Sequence, residues 1–168
     1  MIIELSELVG LQVRSTANQA LGTVDFCVFN GKTATLVGFQ VARPGVLKKF
    51  AGLSFSDVID LNRQALVVEN DAKLLAKLNE FDGLYKTYGP VVGVAAQTES
   101  GERLGRVADL FIEANTGAIT RYHLRHFFQE RIIPQQFLVA ITPERIVFKD
   151  EVAKPQFTGA VAAEAAKS

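Results

Sequence analysis

The sequence predicts a mainly β fold: two small β-barrels in tandem, related by internal duplication and joined by a short linker helix. Three observations carry this expectation. Residue patterns recur at a fixed offset, and short apolar runs rich in Val, Ile, Phe and Tyr alternate with turns bearing Asn and Gly. The length of 168 residues suits two units, since small domains of roughly 75 to 80 residues can each close a core.

The repeat comes first, because it organises everything else. Val9-Gly10-Leu11 and Val92-Gly93-Val94 stand 83 residues apart, as do Leu21-Gly22-Thr23-Val24 and Leu104-Gly105-Arg106-Val107. The same offset pairs Val28 with Phe111, Leu36 with Ile119, Phe39 with Tyr122 and Val41 with Leu124. Beyond that the offset falls to 80, pairing Val58-Ile59 with Leu138-Val139 and Leu66-Val67-Val68 with Ile146-Val147-Phe148. The extra residues of the first copy lie between Val41 and Val58, where its loop is longer. Shared spacing supports duplication as much as the identities do.

Each copy reads as strands set off by turns. Thr16-Ala17-Asn18-Gln19 and Thr98-Glu99-Ser100-Gly101 are hairpin-turn material. Asn30-Gly31 and Asn115-Thr116-Gly117 mark the next reversals, since Asn and Gly tolerate positive φ. Between them lie Val24 to Phe29 and Val107 to Ile112, then Thr35 to Val41 and Ile119 to Leu124. Their β-branched and aromatic residues suit a half-buried pleated surface. The Gly of each Leu-Gly pair marks a bulge or a close backbone approach. Short strands at even spacing argue for closed barrels without exposed edges. From Asp71, Leu74, Leu75 and Leu78 fall on one helical face, with Asn70 or Asp71 as cap. The expected organisation is a first barrel over 1–70, a linker helix over 71–83, a second barrel over 84–152 and a flexible Ala-rich tail over 153–168.

Composition narrows the function. Lys plus Arg and Asp plus Glu are 18 each, so no global field draws in nucleic acid or anionic lipid. Any charged binding surface is a local patch. Cys27 is the single cysteine, which leaves no intramolecular disulfide and no cysteine zinc site; it is read as a small core residue. The start Met1-Ile2-Ile3-Glu4-Leu5 lacks a secretory pattern, and no run approaches a membrane span. A cytoplasmic location is expected.

No catalytic, metal or cofactor site is expected. His123 and His126 are three apart on a strand and so point to opposite faces. No Gly-rich phosphate loop follows a strand, and Asp57 and Asp60 read as a solvated pair. The suggestive segments are two loops. Arg43-Pro44-Gly45-Val46-Leu47-Lys48-Lys49-Phe50 sets apolar residues among cations only, and Arg125-His126-Phe127-Phe128-Gln129-Glu130-Arg131 again mixes aromatics with basic groups. Arg43, Lys48, Lys49, Phe50, Arg125, His126, Phe127, Phe128 and Arg131 are therefore the candidate partner-binding residues. Phe and Arg are enriched at protein interfaces; the same mixture also grips phosphates and stacks on bases, or serves as an ordinary barrel loop.

The second copy runs Val92-Gly93, Glu99-Ser100-Gly101, Leu104-Gly105-Arg106-Val107-Ala108-Asp109, Asn115-Thr116-Gly117, Ile133-Pro134 and Arg145-Ile146-Val147-Phe148. This order resembles the PRC-barrel family. The first copy is a weaker match, with Asn30-Gly31 for the longer acidic turn and Phe55-Ser56 where Ile-Pro is expected. Family barrels occur in the reaction centre H subunit of photosynthesis and in the C-terminal half of a ribosome maturation factor. That factor's first half should carry a His-Gly-rich turn; here the first half has no His and repeats the second. The resemblance implies a contact surface without shared catalytic residues. The leading expectation is a non-catalytic protein-interaction or assembly module whose partner is another protein or a second copy of itself. The alternatives are a factor associated with ribosomal RNA or protein, and a peripheral subunit of a membrane or photosynthetic complex.

Overall fold

The computed structural model describes residues 1–75 and 91–154. Six strands make the first sheet: β2 (Gln12–Ser15), β3 (Ala20–Asn30), β4 (Thr35–Ala42), β5 (Phe50–Ser54), β6 (Val58–Leu61) and β7 (Ala65–Val68). Their order is β5-β4-β3-β2-β7-β6. The second sheet contains β8 (Ala95–Thr98), β9 (Arg103–Glu113), β10 (Ile119–His126), β11 (Gln129–Pro134), β12 (Leu138–Ile141) and β13 (Arg145–Phe148), in the order β11-β10-β9-β8-β13-β12. In each sheet one pairing is parallel, β2 with β7 and β8 with β13, and the others are antiparallel. The mainly β architecture in two separate sheets is therefore present, but closed barrels are not. Among the described residues no pairing joins β5 to β6 or β11 to β12. The free edge of β5 is instead bonded to the linker, where Gly52 and Leu75 exchange two hydrogen bonds of 2.8 Å each. An edge covered by a passing segment is protected from foreign strands without closure.

The two sheets share register pair by pair. Val24↔Val41, Cys27↔Phe39 and Phe29↔Leu36 in the first correspond to Val107↔Leu124, Leu110↔Tyr122 and Ile112↔Ile119 in the second. Even the irregular steps of the ladders fall at corresponding places. Gly22 (φ +152°) and Gly105 (φ +99°) explain why each Leu is followed by Gly: a Cβ would stand 2.4 Å from the Ala42 carbonyl oxygen, or 2.1 Å from that of Arg125. Neighbouring backbone occupies the space that any side chain needs.

The linker differs from the expected helix where it is described. A single 3₁₀ turn spans Asp71–Lys73, capped by the Asn70 side chain accepting from the Ala72 N–H. The chain turns extended at Leu74, which is buried, and Leu75 joins the edge of β5. The attraction of an unpaired sheet edge outweighs the helical periodicity here. Residues 76–83 lie outside the described residues, as does the tail from 155 onward.

The units interlock. Strand β1 (Ile2–Glu4) belongs to the first by sequence, yet pairs antiparallel with β9 of the second sheet: Ile2↔Glu113, Ile3↔Ile112, Glu4↔Phe111. Helix α1 (Leu5–Leu8) follows it and buries Leu5 and Leu8; the Ser6 N–H donates to the Asp109 carboxylate at 3.2 Å. A second joint lies at the starts of β4 and β10. Thr35 and Ala118 form an antiparallel bridge, flanked by Leu36 N–H to the Gly117 carbonyl (2.8 Å) and Ile119 N–H to the Ala34 carbonyl (2.9 Å). Thr35 meets its own counterpart at the offset of 83, and the same offset exchanges the two flanking bonds, which is the mark of a local twofold axis. One apolar core, from Ile3, Leu8 and Phe39 through Leu110, Tyr122 and Phe148, runs through both units.

Candidate functional site

Because β4 and β10 leave the twofold bridge antiparallel, they run in opposite directions. At roughly 3.3 Å per residue, each carries its distal hairpin tip about 25 Å from the axis. The two loops singled out by composition thus leave the bridge in opposite directions.

In the second unit, His126 and Gln129 are the last cross-strand pair, so Phe127-Phe128 is the whole hairpin loop. Phe127 has φ +52°, a left-handed conformation that costs a non-glycine residue about 1 to 2 kcal/mol and that such loops usually give to Asn, Asp or Gly. The rings are 85% and 103% exposed. Phe127 stacks on His126 at 4.7 Å between ring centres. Behind the tip, the Arg125 Nε donates to Glu130 at 2.9 Å across the strands, and the other Glu130 oxygen stands 3.6 Å from His123 Nε2. Strained backbone beneath exposed apolar side chains is a combination that folding alone does not favour.

In the first unit the loop over 43–49 is held at its base by the Arg43 N–H donating to the Lys49 carbonyl. Arg43 itself is engaged, pairing with Asp71 at 2.7 Å and donating to the Leu74 carbonyl at 3.2 Å. It pins the linker and is only half-buried. Lys48, Lys49 and Phe50 are exposed. The apolar tip is Val46-Leu47, more exposed than Phe50.

Arg131 does not join its neighbours at the surface. It sits opposite Leu124 on the core face of β11 and is buried, where the first unit has Ala51. Among the described residues its Nε and Nη1 have no hydrogen-bond partner. Asp57 and Asp60 have separate partners, Lys73 at 3.6 Å and the Asn62 amide at 2.7 Å.

Two further residues escaped the sequence reading. Arg103 and Arg106 on β9, with Arg125, His126 and Phe127, line a cleft of about 580 Å³ floored by Gly105. Setting the copies side by side exposes them: the corresponding positions are Ala20, Thr23 and Ala42. A smaller apolar recess of about 240 Å³ lies between the units beside Phe26, Cys27 and Asp109. Burial pushes the Cys27 thiol above its ordinary range, which disfavours the reactive thiolate. Among the described residues no group of three or more His, Cys, Asp or Glu is placed to hold a metal ion, and no helix is long and apolar enough to cross a membrane.

Comparison with curated proteins returns no match to the chain. The family model described as the PRC-barrel domain matches residues 1–75. That span takes in β1 to β7 and the turn that seals the edge of β5. The part of the chain that this comparison identifies, residues 1–75, is thus similar to the PRC-barrel domain.

Proposed function

We propose that this protein is a non-catalytic interaction module that docks another protein through its hairpin tips. The observation that carries the reading is the Phe127-Phe128 tip: two adjacent rings in full solvent on a backbone held at φ +52°. Burying such a pair in a partner's pocket releases about 25 cal/mol for each Å² of apolar surface covered. Aromatic anchors inserted in pockets dominate interface energetics. The flanking Arg125 and His126, like Lys48 and Lys49 beside Val46-Leu47, suit a partner whose apolar pocket is rimmed by carboxylates. Two tips pointing apart suit a tether that holds two partner surfaces at a set distance, and a cytoplasmic setting is part of this reading.

The test is affinity capture from native extract, comparing the intact chain with Phe127→Asn combined with Phe128→Ser. Asn accepts left-handed φ, so the variant folds. A discrete partner retained by the intact chain and lost by the variant supports the reading. Equal capture by both sinks it.

A further inference from the structure

We propose that the cleft on the second sheet binds a phosphate-bearing anion, held by Arg103, Arg106 and Arg125. The inference does not depend on the docking role of the hairpin tips. Its volume of about 580 Å³ lies within the range of small-molecule sites, roughly 300 to 1,000 Å³. No carboxylate lines it.

The strand register supplies the physical case. Arg106 and Arg125 are direct cross-strand partners on β9 and β10. Like charges so placed repel, with Cβ atoms about 4.5 to 5.5 Å apart. The fold does not need them, because the first unit holds the same register with Thr23 opposite Ala42. Arg103, on the other side of Gly105, has Ala20 as its counterpart. Three neutral positions on one copy of the scaffold are thus three arginines on the other, although the whole chain has net charge zero. Their charge is only partly met. Arg125 pairs with Glu130, and Arg106 donates to the Gly93 carbonyl at 2.8 Å. Among the described residues Arg103 has no partner. A concentration of guanidinium groups whose charge is only partly met is resolved by an incoming anion.

Guanidinium forks match the oxygens of phosphate in bidentate pairs, and three of them call for a ligand with several anionic oxygens, such as a di- or triphosphate. At the mouth, the exposed Phe127 ring leaves one face open opposite His126, where a base can stack. The shared chemistry is the polyphosphate group, supplied either as inorganic polyphosphate or by a nucleoside triphosphate.

The experiment is isothermal titration of the full chain with inorganic tripolyphosphate and, separately, ATP, at low and high salt. Binding that weakens with salt is expected for both probes. Arg103→Ala, Arg106→Thr and Arg125→Ala, each the first unit's own residue, should weaken it about tenfold apiece. Thermal unfolding separates loss of site from loss of fold: Arg106→Thr should unfold no earlier than the wild type, because it removes the like-charge pair. ATP binding more tightly than tripolyphosphate, with the excess lost in Phe127→Asn, would identify a nucleoside ligand. Equal binding would identify the phosphate group alone, and either result supports the site. The proposal is overturned if neither probe binds, if the triple variant binds as well as the wild type, or if only a long oligonucleotide binds.

Discussion

Trimming Ile3 to Ala, in the first unit, should loosen the second. Ile3 is fully buried across from Ile112, itself fully buried, and Ile112 faces Ile119 on the next strand, so the three form one row through the joint. The substitution removes three buried carbons, worth about 0.8 kcal/mol each in transfer alone. The cavity left between two ordered strands adds to that, giving about 3 to 4 kcal/mol. For a chain of this size each kcal/mol lowers the melting temperature by about 2 to 4 °C, so a fall of roughly 6 to 16 °C is expected. The assay is thermal unfolding by circular dichroism, with hydrogen exchange followed at the amides of Leu110 to Ile112 in β9 and Phe39 to Val41 in β4. Both sets should lose protection together in a single transition, because one core spans both sheets. A fall below about 2 °C, or loss of protection confined to one sheet, would refute the interlocked account.

Three further outcomes follow from the same geometry. Gly105→Ala should cost about 3 kcal/mol or more while Gly101→Ala costs about 1; their φ angles are close, at +99° and +93°, but only the first added Cβ meets an atom within 4 Å, and comparable losses in urea titrations would contradict the steric argument. Arg131→Met should leave stability unchanged or raise it by up to about 2 kcal/mol, since a hydrophobic side chain replaces a buried guanidinium with unmet donors; a loss of more than about 1 kcal/mol would show that the charge is well satisfied. Glu4 has its pKa raised by desolvation and by the neighbouring Asp109 and Glu7 carboxylates. Folding therefore favours its protonated form, and stability falls as pH climbs from the ordinary carboxylate value through the raised one. Glu4→Gln should be more stable than the wild type at neutral pH, with the difference vanishing in acid; a constant difference across the titration would contradict that assignment.

Much of the fold was legible because its determinants are local. The offset of 83 aligns the strands residue by residue, and the Leu-Gly pairs mark two positions where only a hydrogen fits. Other features depend on distant partners. Nothing in Ile2-Ile3-Glu4 says which sheet will take it, since an apolar triplet suits either edge. The linker followed its helical pattern for one turn and then yielded to the unpaired edge of β5. Even strand spacing suggests barrel closure but is silent on whether first and last strands meet. At the candidate site, Phe127 and Phe128 stand out by aromatic composition, and both are exposed. Arg131 reads as a surface cation in any composition, yet its position opposite Leu124 turns it inward. Arg103 and Arg106 are far in sequence from Arg125, and only the sheet brings them together.

Capture of partners from native extract, with and without ribonuclease and at two salt concentrations, tests the docking role most directly. The account predicts a discrete protein that persists through both treatments and disappears when Phe127 and Phe128 are replaced. Recovery of only RNA or ribosomal proteins, lost with ribonuclease or salt, would contradict it and make phosphate recognition the protein's principal role.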